Sequence, residues 1–495
     1  MGTEPSSSSQ DAICLASLST TALVGQPSCI AFSPDHRDLF VIGTYQLDQK
    51  SELSNDHSQA TDGDEGQSQS RSGTVQLFRL EESRQITGIQ THDLTSTASH
   101  STQDARPFGA VLDLRFSTSP RYQNTFAVCT STGLIILFRL ITYEQQSSHF
   151  PVLELTQIFT PFTAETLLTS LSWDPHPSSP DKADLAVTLS DGRIAVLTLP
   201  LSKDLNPNAE IQYIQTLHSE SAWTAQWCPP PTQSSQRTIT TGGDDGTIHT
   251  ITLPTNPPPN KDPYSSTNLQ AEAEKDAEQA LHAIDLHTSH RTPPPSLTHQ
   301  YDDRTHTAGV TAILPLTTLA LSANILATGS YDNHIRILRP SVSSRRWETL
   351  AEMDLGGGVW KLELLCSRNT TSSNSSSSSS SITKRENDEM DGMRWLVLAS
   401  CMHAGVRVVE VQCFVCSGGV EETWGVDILA CFAEHTSMCY ASAAAAAARL
   451  DQQSDRQMWQ VVSTSFYDCM VCVWEFEWIR KKHSDTQRLN KTVNS

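Results

Sequence analysis

The 495-residue chain has no apolar run approaching the ~18 residues that a membrane-spanning helix requires. Its Ser-rich beginning carries no charged-then-apolar leader, and its twelve cysteines keep no regular spacing. These absences argue against a membrane protein and against a disulfide-framed secreted one. The expectation is a soluble chain of a reducing compartment, the cytoplasm, that binds no membrane. Positive charge is also scarce, and the formal net charge is −21. That sign repels phosphate, which excludes nucleic acid as a general partner and favours a basic or cationic one. Apolar residues make up only 37% of the chain, and the deficit is concentrated in discrete stretches rich in Ser, Gln, Pro or acidic residues. Residues 48-72, 255-300 and 367-391 therefore read as flexible surface insertions. With residues 1-10 and 479-495 as disordered ends, the folded domain is expected to run from 11 to 478.

Two cysteine pairs, Cys413/Cys416 and Cys469/Cys472, have the two-residue spacing of zinc ligands. The second lies in an alternating run ending at Trp474. Residues three apart in a strand point to opposite faces and cannot share one ion. No metal and no cofactor is expected.

What the chain does contain is a recurring hairpin: a small or polar turn flanked by apolar residues at alternate positions. The clearest copy runs from Ile325 to Leu338 through Gly329-Ser330-Tyr331-Asp332, with Asp332 in the tight turn. Thr241 to Leu253 and Val462 to Trp474 repeat it, and weaker copies run through Val128 to Phe138, Leu185 to Leu197 and Leu396 to Val409. A seventh pairs Leu39 to Tyr45 with Gly73 to Phe78 across a polar insertion. A single such sheet exposes both edges and cannot bury both faces. Seven of them around an axis can, so the expected fold is all-β, a seven-bladed WD40-type β-propeller. The segment Ala12 to Leu18 is expected to close the last blade as its outer strand. The alanine run 443-448 reads as a short inserted helix, because alanine is the strongest helix former.

A histidine precedes several of these hairpins: His218 before Asp245, His306 before Asp332, and His435 before Asp468. An imidazole there can bond the turn aspartate and tie a blade together, so these six residues are assigned to structure.

More specific text follows in order: Glu220-Ser221-Ala222-Trp223, Gly242-Gly243-Asp244-Asp245-Gly246, Arg304 to Val310, Leu326 to Asp332, Gly356-Gly357-Gly358-Val359-Trp360, Ala399 to Gly405, and Ser465-Phe466-Tyr467-Asp468. Over roughly residues 218-476 this series resembles the diphthine methyl ester hydrolase family of diphthamide biosynthesis, while the first three blades match it only loosely. The resemblance implies hydrolysis of a methyl ester on a modified histidine of translation elongation factor 2, the protein substrate, with release of methanol. It also implies a trimethylammonium group beside the ester, which aromatic faces and carboxylates would hold. The long insertions and the alanine tract depart from the family pattern.

In the repeat register, Asp244, Tyr331 and Tyr467 precede the turn aspartates at one rim. A second ring position holds Trp223, Thr311, Trp360 and Tyr440. Trp223, Tyr331, Trp360, Tyr440 and Tyr467 are the candidate substrate-binding residues, although aromatics also serve as packing between blades. The chain contains no Gly-x-Ser-x-Gly elbow. His403 and Asp244 are the candidate bases, Cys401 the candidate nucleophile, and Tyr331 or Tyr467 the candidate proton donors. His403 as a turn residue and Cys401 as a buried strand residue are equally consistent with the pattern. The competing class is a non-catalytic propeller that recruits a partner. Nothing signals oligomerisation, and a monomer is expected.

Overall fold

The computed structural model describes residues 12–47, 70–94, 106–145, 148–176, 181–201, 208–228, 237–253, 299–316, 324–341, 346–369, 391–415, 422–447 and 456–479. The expected insertions lie almost wholly outside these residues, as do the expected disordered ends. Their described flanks are strand: Arg71–Ser72 pairs with Gln46–Leu47, and His299–Asp302 is the outer strand of a blade.

Seven sheets of four antiparallel strands form a seven-bladed β-propeller. Each expected hairpin is the second and third strand of one blade, because alternating apolar residues bury both faces between neighbouring blades. Inner strands line the axis: Pro27–Phe32, Val111–Phe116, Leu168–Trp173, Ala222–Cys228, Val310–Leu316, Lys361–Asn369 and Ala441–Ala446, for blades one to seven. The core is correspondingly divided into layers between blades. Phe126 and Phe138, for instance, stack at 5.4 Å between blades one and two, among Val41, Val75 and Leu77.

The ring is closed by the N-terminal segment, one strand later than expected. Ser19–Ala22 pairs antiparallel with Met470–Ile479 and supplies the fourth strand of blade seven. The segment expected to do this contains Ile13–Leu15, which instead adds a parallel fifth strand to blade six, against Glu422–Phe432. Closure joins the two ends of the chain across hundreds of residues, so no single blade is left with an open edge at the seam.

Ala443 to Ala446 of the alanine run are strand and not helix. Ala441–Ala446 pairs with Arg456–Ser465 as the inner strand of blade seven, with Ala441, Ala443 and Ala445 buried. Helix propensity is a local preference of a fraction of a kcal/mol per residue, and the backbone pairing demanded by the neighbouring strand overrides it.

Candidate functional site

Inner strands of a propeller carry one extra residue near their start. Their pairing with the second strand skips Ser28, Leu112, Thr169, Trp223 and Thr311 in blades one to five. Such a bulge re-aims a side chain that would otherwise alternate between the blade faces. Here the skipped residues, with Trp360 and Tyr440 at the same level of blades six and seven, surround one small chamber on the axis. The second ring position expected from the repeats is therefore a real ring, and its residues in blades one to five are directed by bulges.

Three of the seven ring members, Ser28, Thr169 and Thr311, are small. Thr169 and Thr311 spend their hydroxyls on the neighbouring Ala222 and Val359 carbonyls. This leaves space for the large members to meet over them: Trp223 and Trp360 lie 5.2 Å apart between centroids, and Trp360 and Tyr440 5.0 Å apart. Tyr331 adds a ring 6.1 Å from Trp360, and Phe466 one 5.3 Å from Tyr440. Tyr45 of blade one reaches Phe466 at 6.2 Å. Six aromatic residues from blades one, four, five, six and seven thus form a continuous half-buried cluster over one end of the channel. The chamber beneath it holds 50 Å³, space for a water molecule or two rather than for a substrate.

At the edge of the cluster, Asp244 Oδ1 accepts a hydrogen bond from Trp223 Nε1 at 2.5 Å. Burial pushes the Asp244 carboxyl up from its usual range and Glu220 and Asp245 add to the rise, while the indole N–H opposes it. Asp244 and the Tyr331 ring approach each other across Gly309, where a Cβ would lie 2.9 Å from both Asp244 Cα and Tyr331 Cδ2. Burial, with Asp244 and then Tyr440 nearby, raises the Tyr331 phenol and keeps it protonated. The arrangement offers aromatic faces, one carboxylate and a neutral phenol on a shared surface.

Two expected catalytic residues are placed elsewhere. Cys401 is fully buried, its Sγ turned to the Ala399 carbonyl, and burial pushes its thiol up to about 12. The candidate nucleophile is thus a core residue, because an enclosed neutral thiol neither reaches a substrate nor ionises. His403 is exposed on the turn closed by the Ala404 and Gly405 amides. Met402, not His403, is the turn residue directed at the cluster: its Sδ and the Tyr331 ring flank Gly358.

Tyr467 also differs from its expected position. The turn after Ser465 has one residue more than the turn after Ser330, with Cys469 taking the left-handed conformation that Asn333 takes in blade five. Phe466 N binds the Met438 carbonyl as Tyr331 N binds that of Gly309, so Phe466 occupies the inward place. Tyr467 is pushed outward, 65% exposed, with its ring against Phe466. Counting back from the turn aspartate missed Phe466; counting forward from the serine would have found it. Tyr45 carried no signal, being separated from its partner strand by an insertion.

The three His–Asp pairs diverge. His218 is buried and bonds Asp245 at 3.0 Å through Nδ1 and Thr241 at 3.0 Å through Nε2, as expected. His306 bonds Thr328 at 2.9 Å and pairs with Asp332 Oδ2 at 3.6 Å, with Arg336 bridging the two by donating to His306 Nδ1 at 2.9 Å and to Asp332 at 2.7 Å. His435 departs from the expectation: it bonds Ser463 at 2.8 Å, which also accepts from Trp474 Nε1, while Asp468 is held by Thr436. In blade four, His218, Asp245 and His249 place three ligand atoms within 4.8 Å of one another. The Thr247 hydroxyl sits among them at 2.7 to 3.1 Å, and its one proton and two lone pairs match all three. The group is a complete hydrogen-bond network. Of the two cysteine pairs with zinc-ligand spacing, Cys416 of the first lies outside the described residues. Cys469 turns toward the Phe466 carbonyl and Cys472 toward Thr20 and His435, so that pair diverges.

No protein-family profile matches the chain, and no curated protein matches it. Among solved structures, the crystal structure of Saccharomyces cerevisiae Sqt1 matches with a TM-score of 0.44 and 12% identity, over 94% of this chain and 99% of that one.

Proposed function

We propose that the aromatic surface binds a quaternary ammonium group on a protein side chain and that the chain is an esterase acting beside that group, cleaving the methyl ester of diphthine methyl ester on elongation factor 2 in the cytoplasm. The observation that supports this reading best is the junction of Trp223, Tyr331, Trp360 and Tyr440 with the carboxylate of Asp244. Ring faces attract a cation through their quadrupole, and an adjacent carboxylate adds charge without demanding a hydrogen-bond donor, which a trimethylammonium lacks. The substrate lies on the cluster, since the chamber below it is too small.

In this reading the ester carbonyl rests near Asp244 and Tyr331. Water attacks the carbonyl carbon as Asp244 takes its proton, and the Tyr331 phenol donates a hydrogen bond to the oxygen on which charge develops. Collapse of the adduct breaks the carbon–methoxy bond, the proton passes to the methoxide, and methanol and a carboxylic acid remain. Asp244 keeps Oδ2 free of the Trp223 bond for the water. Cys401 has no part, and His403 is not needed.

The second reading is a non-catalytic platform. It draws support from the same half-buried aromatics, which suit protein recognition equally well, and from the burial of the one candidate nucleophile. Mass spectrometry separates the two. Elongation factor 2 carrying the methylated intermediate, incubated with the purified chain, should lose the mass of one methylene from its modified histidine and release methanol. A stable complex with unchanged mass selects the platform.

A further inference from the structure

Below the chamber the channel narrows to a waist lined by Arg115 of blade two and Lys361 of blade six, then opens into a cavity of 810 Å³ at the opposite face. Phe32, Phe116, Trp173, Trp227, Leu314 and Leu364 supply apolar walls to this funnel. Arg115 and Lys361 line both compartments, so their charged ends form the funnel's apex.

The two cations are under-used. Lys361 Nζ donates to the Ile30 carbonyl at 3.3 Å, its one hydrogen bond among the described residues, and it forms no ion pair among them. An ammonium has three donors, so two remain for a ligand. Arg115 pairs with Asp113 through Nε, at 3.1 and 3.3 Å, and its side chain is 32% exposed. The funnel's charged lining is Arg37, Arg115 and Lys361 against the single carboxylate of Glu363, a local excess of cations in a chain whose net charge is −21. Burial pushes the Glu363 carboxyl up to about 7, opposed by Lys361 and then Arg115, and burial likewise lowers the Lys361 ammonium from its usual range.

The walls also indicate what kind of anion fits. Inner strands are sheet edges, so their outward backbone donors and acceptors face the lumen together with Ser172, Thr118 and Gln226. Ser172 Oγ already donates to Gln226 Oε1 at 3.2 Å; a bare acyl chain would leave the outward backbone groups without partners, whereas an extended peptide supplies a donor and an acceptor at every residue.

We propose that the funnel is a second binding site, separate from the aromatic surface, for an acidic peptide segment whose carboxylate reaches Lys361 and Arg115. The chamber above the apex holds only 50 Å³, too little for a peptide to thread, so the peptide enters and leaves by the wide mouth. This site is independent of the esterase reading and fits a platform as well as an enzyme.

The test is fluorescence anisotropy with the full chain and a labelled hexapeptide, Gly-Leu-Asp-Glu-Asp-Leu, with its Gly-Leu-Lys-Lys-Lys-Leu counterpart and labelled oleate as comparisons. Only the acidic peptide should bind. Lys361→Met should weaken it by about tenfold, the scale of one charge-assisted hydrogen bond. Glu363→Gln removes the opposing charge and should tighten it, which keeps the test usable if Lys361→Met fails to fold. The proposal is overturned if the acidic peptide fails to bind, if Glu363→Gln weakens it, or if oleate binds and the peptide does not.

Discussion

Replacement of Asp244 by asparagine is the sharpest probe of the aromatic surface, because it removes a charge and keeps a shape. The asparagine carbonyl can still accept the Trp223 indole N–H that now meets Oδ1 at 2.5 Å, so the ring cluster should hold its geometry. The lost quantity is the attraction between a carboxylate and a bound quaternary ammonium. At a separation of roughly 5 Å and an effective dielectric between about 20 and 80, Coulomb's law gives ~1–3 kcal/mol. That corresponds to an affinity loss of about 5- to 150-fold. Trp223 and Trp360 both lie in the cluster, so quenching of tryptophan fluorescence by a betaine methyl ester reads the binding directly. The uncharged isostere, with a tert-butyl group in place of trimethylammonium, is the control. Wild type should prefer the cation, and Asp244→Asn should lose that preference while keeping affinity for the isostere. Equal affinity of both proteins for the cation would refute the electrostatic role, and loss of isostere binding as well would mean that the substitution collapses the cluster.

Three further outcomes are expected. Gly309→Ala should separate Asp244 from Tyr331, since its Cβ would lie 2.9 Å from each; weaker cation binding together with about 1–3 kcal/mol of overpacking cost, read by titration and by denaturant unfolding, is the expected result. His218→Ala removes buried bonds to Asp245 and Thr241 and opens a cavity, so chemical denaturation should show a loss of ~3–5 kcal/mol, against under ~1 kcal/mol for Asp468→Asn at the exposed blade-seven turn. For His435, burial lowers the folded pKa to about 4 from 6.5, so its contribution to stability is present above pH 6.5 and lost as the pH falls through 4. Unfolding midpoints between pH 7 and 4 should fall by the equivalent of up to about 3 kcal/mol at the acid end, and less in His435→Gln; identical profiles would remove the imidazole as the cause.

Much of the fold was legible because blade hairpins are local. Period-two alternation around a small turn, as in Ile325 to Leu338, states which residues pair and which are buried, and neither depends on distant sequence. The ring residues Trp223, Trp360 and Tyr440 were legible for the same reason, since each follows its blade's register. Errors arose where local and distant demands conflict. The alanine tract prefers helix in isolation and became strand because Arg456–Ser465 needed a partner. Phe466 was missed because one inserted turn residue shifts Tyr467 outward, and Cys401 looked like chemistry only until its burial was known.

The amino-acid sequence by itself determined seven repeated sheets, an all-β ring and the aromatic character of one rim, because strand periodicity and turn chemistry act over about ten residues. Tertiary structure alone decided what meets at the axis. Tyr45 touches Phe466 and Lys361 bonds Ile30 because closing the ring brings together residues separated by more than three hundred positions, and Trp223 turns inward because a bulge re-aims it. Neither closure nor the direction of a bulged side chain is encoded in a short-range pattern; both follow from packing seven twisted sheets around a common channel.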